Sequence, residues 1–100
     1  MTDMNISPSE LRQRLENGDP VVLLDVREPW EHEEFNIGGA LIPLAELMNR
    51  MWELEAHKDD EIVVYCKSGG RSGMAQGLLL GAGYAKVKNL SGGMLAWKQQ

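Results

Sequence analysis

The chain has a single cysteine, Cys66, among its 100 residues. One thiol cannot form an internal disulfide, and it cannot build a zinc site alone. This usage points to a reducing compartment, the cytoplasm. Positive charge is also scarce: 10 basic side chains face 15 acidic ones, for a net charge of -5. That balance disfavours a general nucleic-acid or anionic-membrane surface, while leaving room for a local basic pocket. No apolar stretch approaches about 18 residues, so no membrane-spanning helix is expected. The opening "MTDMNISPSE" has neither a basic n-region nor an apolar h-region, so no signal peptide is expected. Low-complexity segments, linkers and repeats are missing too. What remains, 43% hydrophobic and 25% charged, suits one soluble globular domain over residues 1–100.

The chain alternates between strand and helix signals. "SPSE" marks a helix start: Ser7 caps, Pro8 suits the first helical position, and Glu10 completes a capping box. Leu11 and Leu15 then share a face, and "NGDP" ends the helix. "VVLLDV" is an unbroken apolar run ending at Asp25, as expected for a strand covered on both faces. "REPWEHEEF" reads as one short polar helix. A short strand is expected around Ala40 to Ile42. Pro43 then opens a helix with Leu44, Leu47, Met48 and Met51 turned to the core. "HKDDE" is a charged turn, and Ile62 to Tyr65 is a second buried strand. A helix should start at Arg71 or Ser72, with Met74, Ala75, Leu78 and Leu79 inward and "GAG" closing it. "AKVKNL" is a last strand, and "SGGMLAWKQQ" a final helix capped by Ser91. The alternation predicts an α/β fold with a parallel sheet and helices on both faces.

Cys66 falls at the carboxyl end of a predicted strand, where ligands bind in open α/β sheets. Lys67, Ser68, Gly69, Gly70 and Arg71 follow, and then a helix begins. The glycines permit a tight loop whose amides turn inward as an anion nest. The helix start, Lys67 and Arg71 add positive potential. Each of these favours thiolate over thiol. Lowering a cysteine pKa by about two units, roughly 2.7 kcal/mol of differential stabilisation, makes thiolate the major form at neutral pH. A buried, inert cysteine is the commoner case, but glycines, cations and a helix start converge on this one. A cysteine protease would also need a positioned histidine base. His57 lies in a charged turn and His32 in an acidic segment, so both read as solvated. Attack by a thiolate on another sulfur needs no histidine.

With these residues in view, the sequence resembles the single-domain rhodanese-like sulfurtransferases. Four stretches carry the resemblance along nearly the whole chain: "LLDVREPWEHEEFNIGGALIPL", "VVYCKSGGRS", "LLLGAGYAKVKNLSGG" and "GGMLAW". The resemblance implies a rhodanese-like fold with a central parallel five-stranded sheet. It implies that Cys66 attacks a sulfane sulfur, as in thiosulfate or a persulfide, and becomes a persulfide in a ping-pong cycle. A thiol, cyanide or a partner protein then accepts the sulfur. The amides of Lys67 to Ser72 would hold the persulfide charge, and Arg71, with Lys67, would attract a small anionic donor. Asp25 and Arg27, from the Asp-Val-Arg motif, would support the loop. No metal or organic cofactor is implied. The related dual-specificity phosphatases place five residues between cysteine and arginine. This chain places four, Lys67, Ser68, Gly69 and Gly70, the sulfur-transfer length.

The chain departs from the family pattern in "NIGGA", where Asn36 and Gly38 replace a more usual histidine and proline; a structural effect is expected there. Glu31 stands near the cleft where some thiosulfate-specific enzymes carry an extra arginine, which argues against thiosulfate as the natural donor. A persulfide carrier or protein-interaction module with little turnover on small donors is the alternative to an enzyme. Ser68 offers a hydroxyl in the loop, and Ser72 reads as the cap of the loop helix. Trp97, with Met94 and Leu95, reads as packing for the last helix. Trp30 and Trp52 read by default as core or edge packing, and Gly92 and Gly93 as a tight helix entry.

Overall fold

The computed structural model describes residues 4–100; residues 1–3, part of the stretch in which no signal peptide is expected, lie outside the described residues. Five strands form one sheet in the order β1-β5-β4-β2-β3, every neighbouring pair parallel. They are β1 (Asn5–Ile6), β2 (Val22–Asp25), β3 (Ala40–Leu41), β4 (Glu61–Tyr65) and β5 (Lys86–Leu90). The helices are α1 (Pro8–Glu16), α2 (Pro29–Glu34), α3 (Leu47–Arg50), α4 (Gly70–Gly81) and α5 (Gly93–Lys98), with 3-10 segments Leu44–Glu46 and Met51–His57 on either side of α3. No helix is long and apolar enough to cross a membrane, among the described residues.

The apolar runs are unbroken because both sheet faces are covered. Along β4, Ile62, Val64 and the following Cys66 point to one side, where they meet Leu47, Ala75 and Leu79. Val63 and Tyr65 point to the other and meet Leu11, Leu90 and Met94. Ser7 caps α1 as its sequence predicts, accepting from the Glu10 amide at 3.1 Å. The carboxyl ends of β2 and β4 lie side by side, with Asp25 opposite Tyr65. Asp25 and Cys66 therefore sit at one edge of the molecule.

The five parallel strands that the resemblance implies are all present; the fifth, β1, carries only two residues, too few for a periodic signal, and extends the sheet beside β5. Other expectations need correction. The helix expected after Pro43 is split into 3-10, α and 3-10 turns. Its inward positions run Leu44, Leu47, Met51, Leu54, at spacings of three, four and three. Met48 falls out of this phase and is 74% exposed. Met74 is also outward, at 66% exposure, since one residue along an α-helix turns it by about 100° from Ala75. Trp30 and Trp52 are exposed, whereas Trp97 packs against the core beneath α5 and Leu95 is half exposed.

Candidate functional site

Helix α4 begins at Gly70, earlier than expected, because Gly69 caps it in a left-handed conformation with φ 111°. A side chain at Gly69 would be strained there. This turn swings the loop back over the end of β4. Ser72 is therefore not the cap; it sits inside the first turn of α4, fully buried, facing the sulfur. Likewise Ser91 does not cap α5; Gly92 does, with φ 72°. Gly93 follows with φ 56°, and a Cβ there would lie 2.5 Å from the Cys66 carbonyl oxygen. That close approach lets the α5 amides hold the loop: Met94 donates to the Cys66 carbonyl at 2.9 Å and Leu95 to that of Lys67 at 3.0 Å.

Cys66 is a free thiol, 1% exposed. The Gly69 amide donates to Sγ at 3.1 Å and the Ser72 amide at 3.4 Å, and the Ser72 hydroxyl lies 3.3 Å from it. Burial pushes the thiol pKa up. The Ser72 hydroxyl and the amides of Ser72, Gly69 and Ser68 pull it down by more, so it lies below the ordinary cysteine value. The amide nest predicted from the glycines is thus present around the sulfur, and hydrogen bonds are the leading lowering influences.

Lys67 and Ser68 are exposed on the loop. Arg71 meets Glu31 in a two-pronged pair, Nη1 to Oε1 at 2.7 Å and Nη2 to Oε2 at 3.0 Å. Glu31 is held in place by its role in the α2 capping box, where it accepts from the Glu28 amide at 3.0 Å. The Arg71 hydrogen bonds first of all, against an opposing effect of burial, bring the Glu31 pKa down to about 2. Arg71 is therefore charge-neutralised at neutral pH, and Lys67 is the loop cation with no ion pair among the described residues.

Asp25 and Arg27 hydrogen-bond to each other, to His32 and to the Phe35 carbonyl, and Arg27 lines the cleft beside the loop. The Asp25 carboxylate, fully buried, accepts from the Arg27 guanidinium at 2.8 and 2.9 Å and from the Arg27 amide at 3.0 Å. Arg27 also donates to the Phe35 carbonyl at 2.6 Å. His32 is not a solvated surface side chain: its Nδ1 lies 2.9 Å from Asp25 Oδ2, with the side chain 22% exposed. His57 lies in the charged turn as expected, beside Asp60. Tyr65 holds the "NIGGA" turn, donating to the Gly38 carbonyl at 2.9 Å; burial, then the Asp25 charge, push its pKa up to about 12. Asn36 caps the same turn by accepting from the Gly38 amide at 2.9 Å.

Beside the loop lies an open cleft of about 150 Å³. Trp30, Phe35 and Leu95 give it apolar walls, and Lys67, Glu31 and Lys98 give it charge. Lys98 lies 4.8 Å from the centre of the Phe35 ring, within cation–π range. The sequence singled out every loop residue found here. It missed Asn89 on β5, whose carboxamide accepts from the Ser72 hydroxyl at 2.5 Å and donates to the Gly69 carbonyl at 3.1 Å. A polar residue in the middle of a strand was the one available signal. Among the described residues, no group of three or more His, Cys, Asp or Glu is placed to hold a metal ion.

Comparison with known proteins places this geometry. The Rhodanese-like domain family matches residues 7–100. A sulfurtransferase of Allochromatium vinosum is 41% identical over 93 residues, covering 92% of this chain and 85% of that protein. A putative sulfur carrier protein of Bacillus subtilis, YrkF, is 39% identical over 93 residues; the chain spans 49% of its length. The human single-domain sulfurtransferase TSTD1 superposes with a TM-score of 0.84 at 28% identity, over 99% of this chain and 98% of that one.

Proposed function

The chain belongs to the rhodanese-like family, and from that premise we propose that it transfers sulfane sulfur through a persulfide on Cys66. The observation that carries this reading is the ring of hydrogen-bond donors converging on one buried sulfur. Donors preorganised around a sulfur stabilise negative charge without rearranging. In the first half-reaction the Cys66 thiolate attacks the outer sulfur of the donor. A new S–S bond forms, the donor's own bond to that sulfur breaks, and the leaving group departs with the electron pair: sulfite from thiosulfate, a thiolate from a persulfide. In the second, a thiol or cyanide attacks the outer sulfur and returns Cys66 as thiolate. Neither step consumes an oxidant or a metal. The amides of Ser68, Gly69 and Ser72 hold the charge in both states, Lys67 draws in the anionic donor, and Asp25 with Arg27 fixes the floor of the loop. A reducing compartment such as the cytoplasm suits a site that works as a free thiol.

The test is intact mass after exposure to thiosulfate and to glutathione persulfide, followed by cyanide. The expected result is a gain of one sulfur on Cys66 that cyanide removes as thiocyanate. No gain with either donor would sink the proposal.

A carrier role is favoured by one observation, the Glu31–Arg71 pair, in a chain similar to a putative sulfur carrier. With Arg71 neutralised, a small dianion meets less positive potential at the loop. A persulfide presented by a partner at the apolar cleft depends less on that charge. Glu31→Gln should therefore raise kcat/KM for thiosulfate on the order of tenfold and change the rate with glutathione persulfide much less. Equal effects on the two donors would remove Glu31 as the discriminating residue.

A further inference from the structure

The Ser72 hydroxyl has one proton and two neighbours that accept it. Sγ of Cys66 lies at 3.3 Å and Oδ1 of Asn89 at 2.5 Å. The orientation of the Asn89 carboxamide is not free: its Nδ2 donates to the Gly69 carbonyl at 3.1 Å, a group that can only accept. Oδ1 therefore faces Ser72 and can only receive the hydroxyl proton. While that bond is made, Ser72 turns a lone pair, not a proton, toward the sulfur. A protonated Cys66 fits this arrangement by donating S–H to Ser72 Oγ. A thiolate does not: the lowering that the Ser72 hydroxyl exerts on the thiol pKa is realised only when Ser72 leaves Asn89 and donates to the sulfur, and otherwise the anion keeps the amides alone.

We propose that Asn89 is a positioning residue that sets the reactivity of Cys66 by competing with the thiolate for the Ser72 hydroxyl proton. The competition has a direction. Asn89 favours the forms of Cys66 whose Sγ carries no charge, the thiol and the persulfide with its charge on the outer sulfur. It disfavours the empty thiolate, and so biases the site toward holding sulfur. That last consequence rests on the persulfide reading; the competition itself does not, because it concerns the resting thiol.

The charged groups near the loop are the same in every variant below. They are Arg71 paired with Glu31 from α2, Asp25 of β2 paired with Arg27 and His32, Lys67 on the loop and Lys98 of α5. Their influence on the sulfur cancels in a comparison at Asn89 and Ser72.

The experiment is a double-mutant cycle read by the pH dependence of Cys66 alkylation with iodoacetamide, with thiolate ultraviolet absorbance as a second measure. Asn89→Leu removes the competing acceptor at similar volume. The alkylation midpoint should fall by about one to two pH units, the worth of one hydrogen bond newly given to a charged group. In a Ser72→Ala background the same substitution should leave the midpoint unmoved, since no hydroxyl proton remains to be redirected. Loss of the Asn89 bond to the Gly69 carbonyl would disturb the loop in both backgrounds alike, so an equal shift in both overturns the proposal. So does an unchanged or raised midpoint in Asn89→Leu. Asn89→Val, suited to a strand, gives the same readout if the leucine variant does not fold. Alkylation needs no sulfur donor, so its outcome is separate from the mass test of sulfur transfer.

Discussion

Cys66→Ser is expected to abolish sulfur transfer while leaving the fold in place. Serine keeps the shape and enters a site that offers a hydroxyl two amide donors and the Ser72 oxygen. Burying the new hydroxyl is thereby compensated, and stability should stay within about 2 kcal/mol of the parent. The chemistry does not survive, because an alcohol remains protonated at neutral pH and holds no sulfane sulfur. Thiocyanate formation should drop by at least about 10³-fold, and intact mass should show no added sulfur after donor treatment. Thermal melts run alongside establish that the protein is folded. A folded serine variant that still turned over would move the reacting group away from Cys66, and with it the whole assignment of the loop.

The second large effect is expected at Asp25, where activity and stability fall together. Its carboxylate is fully buried and is the main counter-charge to an Arg27 guanidinium only 5% exposed. Asp25→Ala leaves that cation inside with the Phe35 carbonyl as its remaining hydrogen-bond partner, and it strips His32 of its acceptor as well. Removing one member of a buried ion pair costs about 3–5 kcal/mol, a large share of the roughly 5–15 kcal/mol that holds a domain together. A fall in Tm of at least about 12 °C follows for a chain of this size. Asp25→Asn keeps an acceptor for Arg27 and should lose less than half as much. Calorimetry on the two variants and the parent decides it: an alanine variant as stable as the parent would mean that the pair contributes nothing to stability.

The reach of the sequence is clearest where signal and cause are both local. The apolar runs of β2 and β4 announce strands buried on both faces. The glycines after Cys66 announce a loop that turns its amides inward, and Ser7 and Pro8 announce α1. The resemblance to the rhodanese-like family extends this to five strands, one of which, β1, is too short to be read from two residues. What escaped depends on partners distant in sequence. Glu31 and Arg71 lie 40 residues apart and His32 and Asp25 on different elements, so no spacing rule connects them. Ser72 reads as a cap because serine caps helices; it faces the sulfur because Gly69 takes a left-handed turn and starts α4 sooner. Met48 and Met74 were misplaced by choosing the wrong face, each lying one residue from an inward position, Leu47 and Ala75.

The anchors of the reactive loop have a consequence for the order in which the site comes into being. The Cys66 and Lys67 carbonyls are held by Met94 and Leu95, and Gly69 and Ser72 by Asn89. All three anchors lie downstream of the cysteine. At roughly 5–20 residues per second, the ribosome delivers Cys66 on the order of seconds before the residues that frame it. During that interval the nascent thiol has neither its ring of amides nor its burial. It titrates and reacts as an ordinary cysteine, without the heightened reactivity of the finished site. The chain thus carries its reactive sulfur through synthesis outside the finished loop, and closure of β5 and α5 frames it.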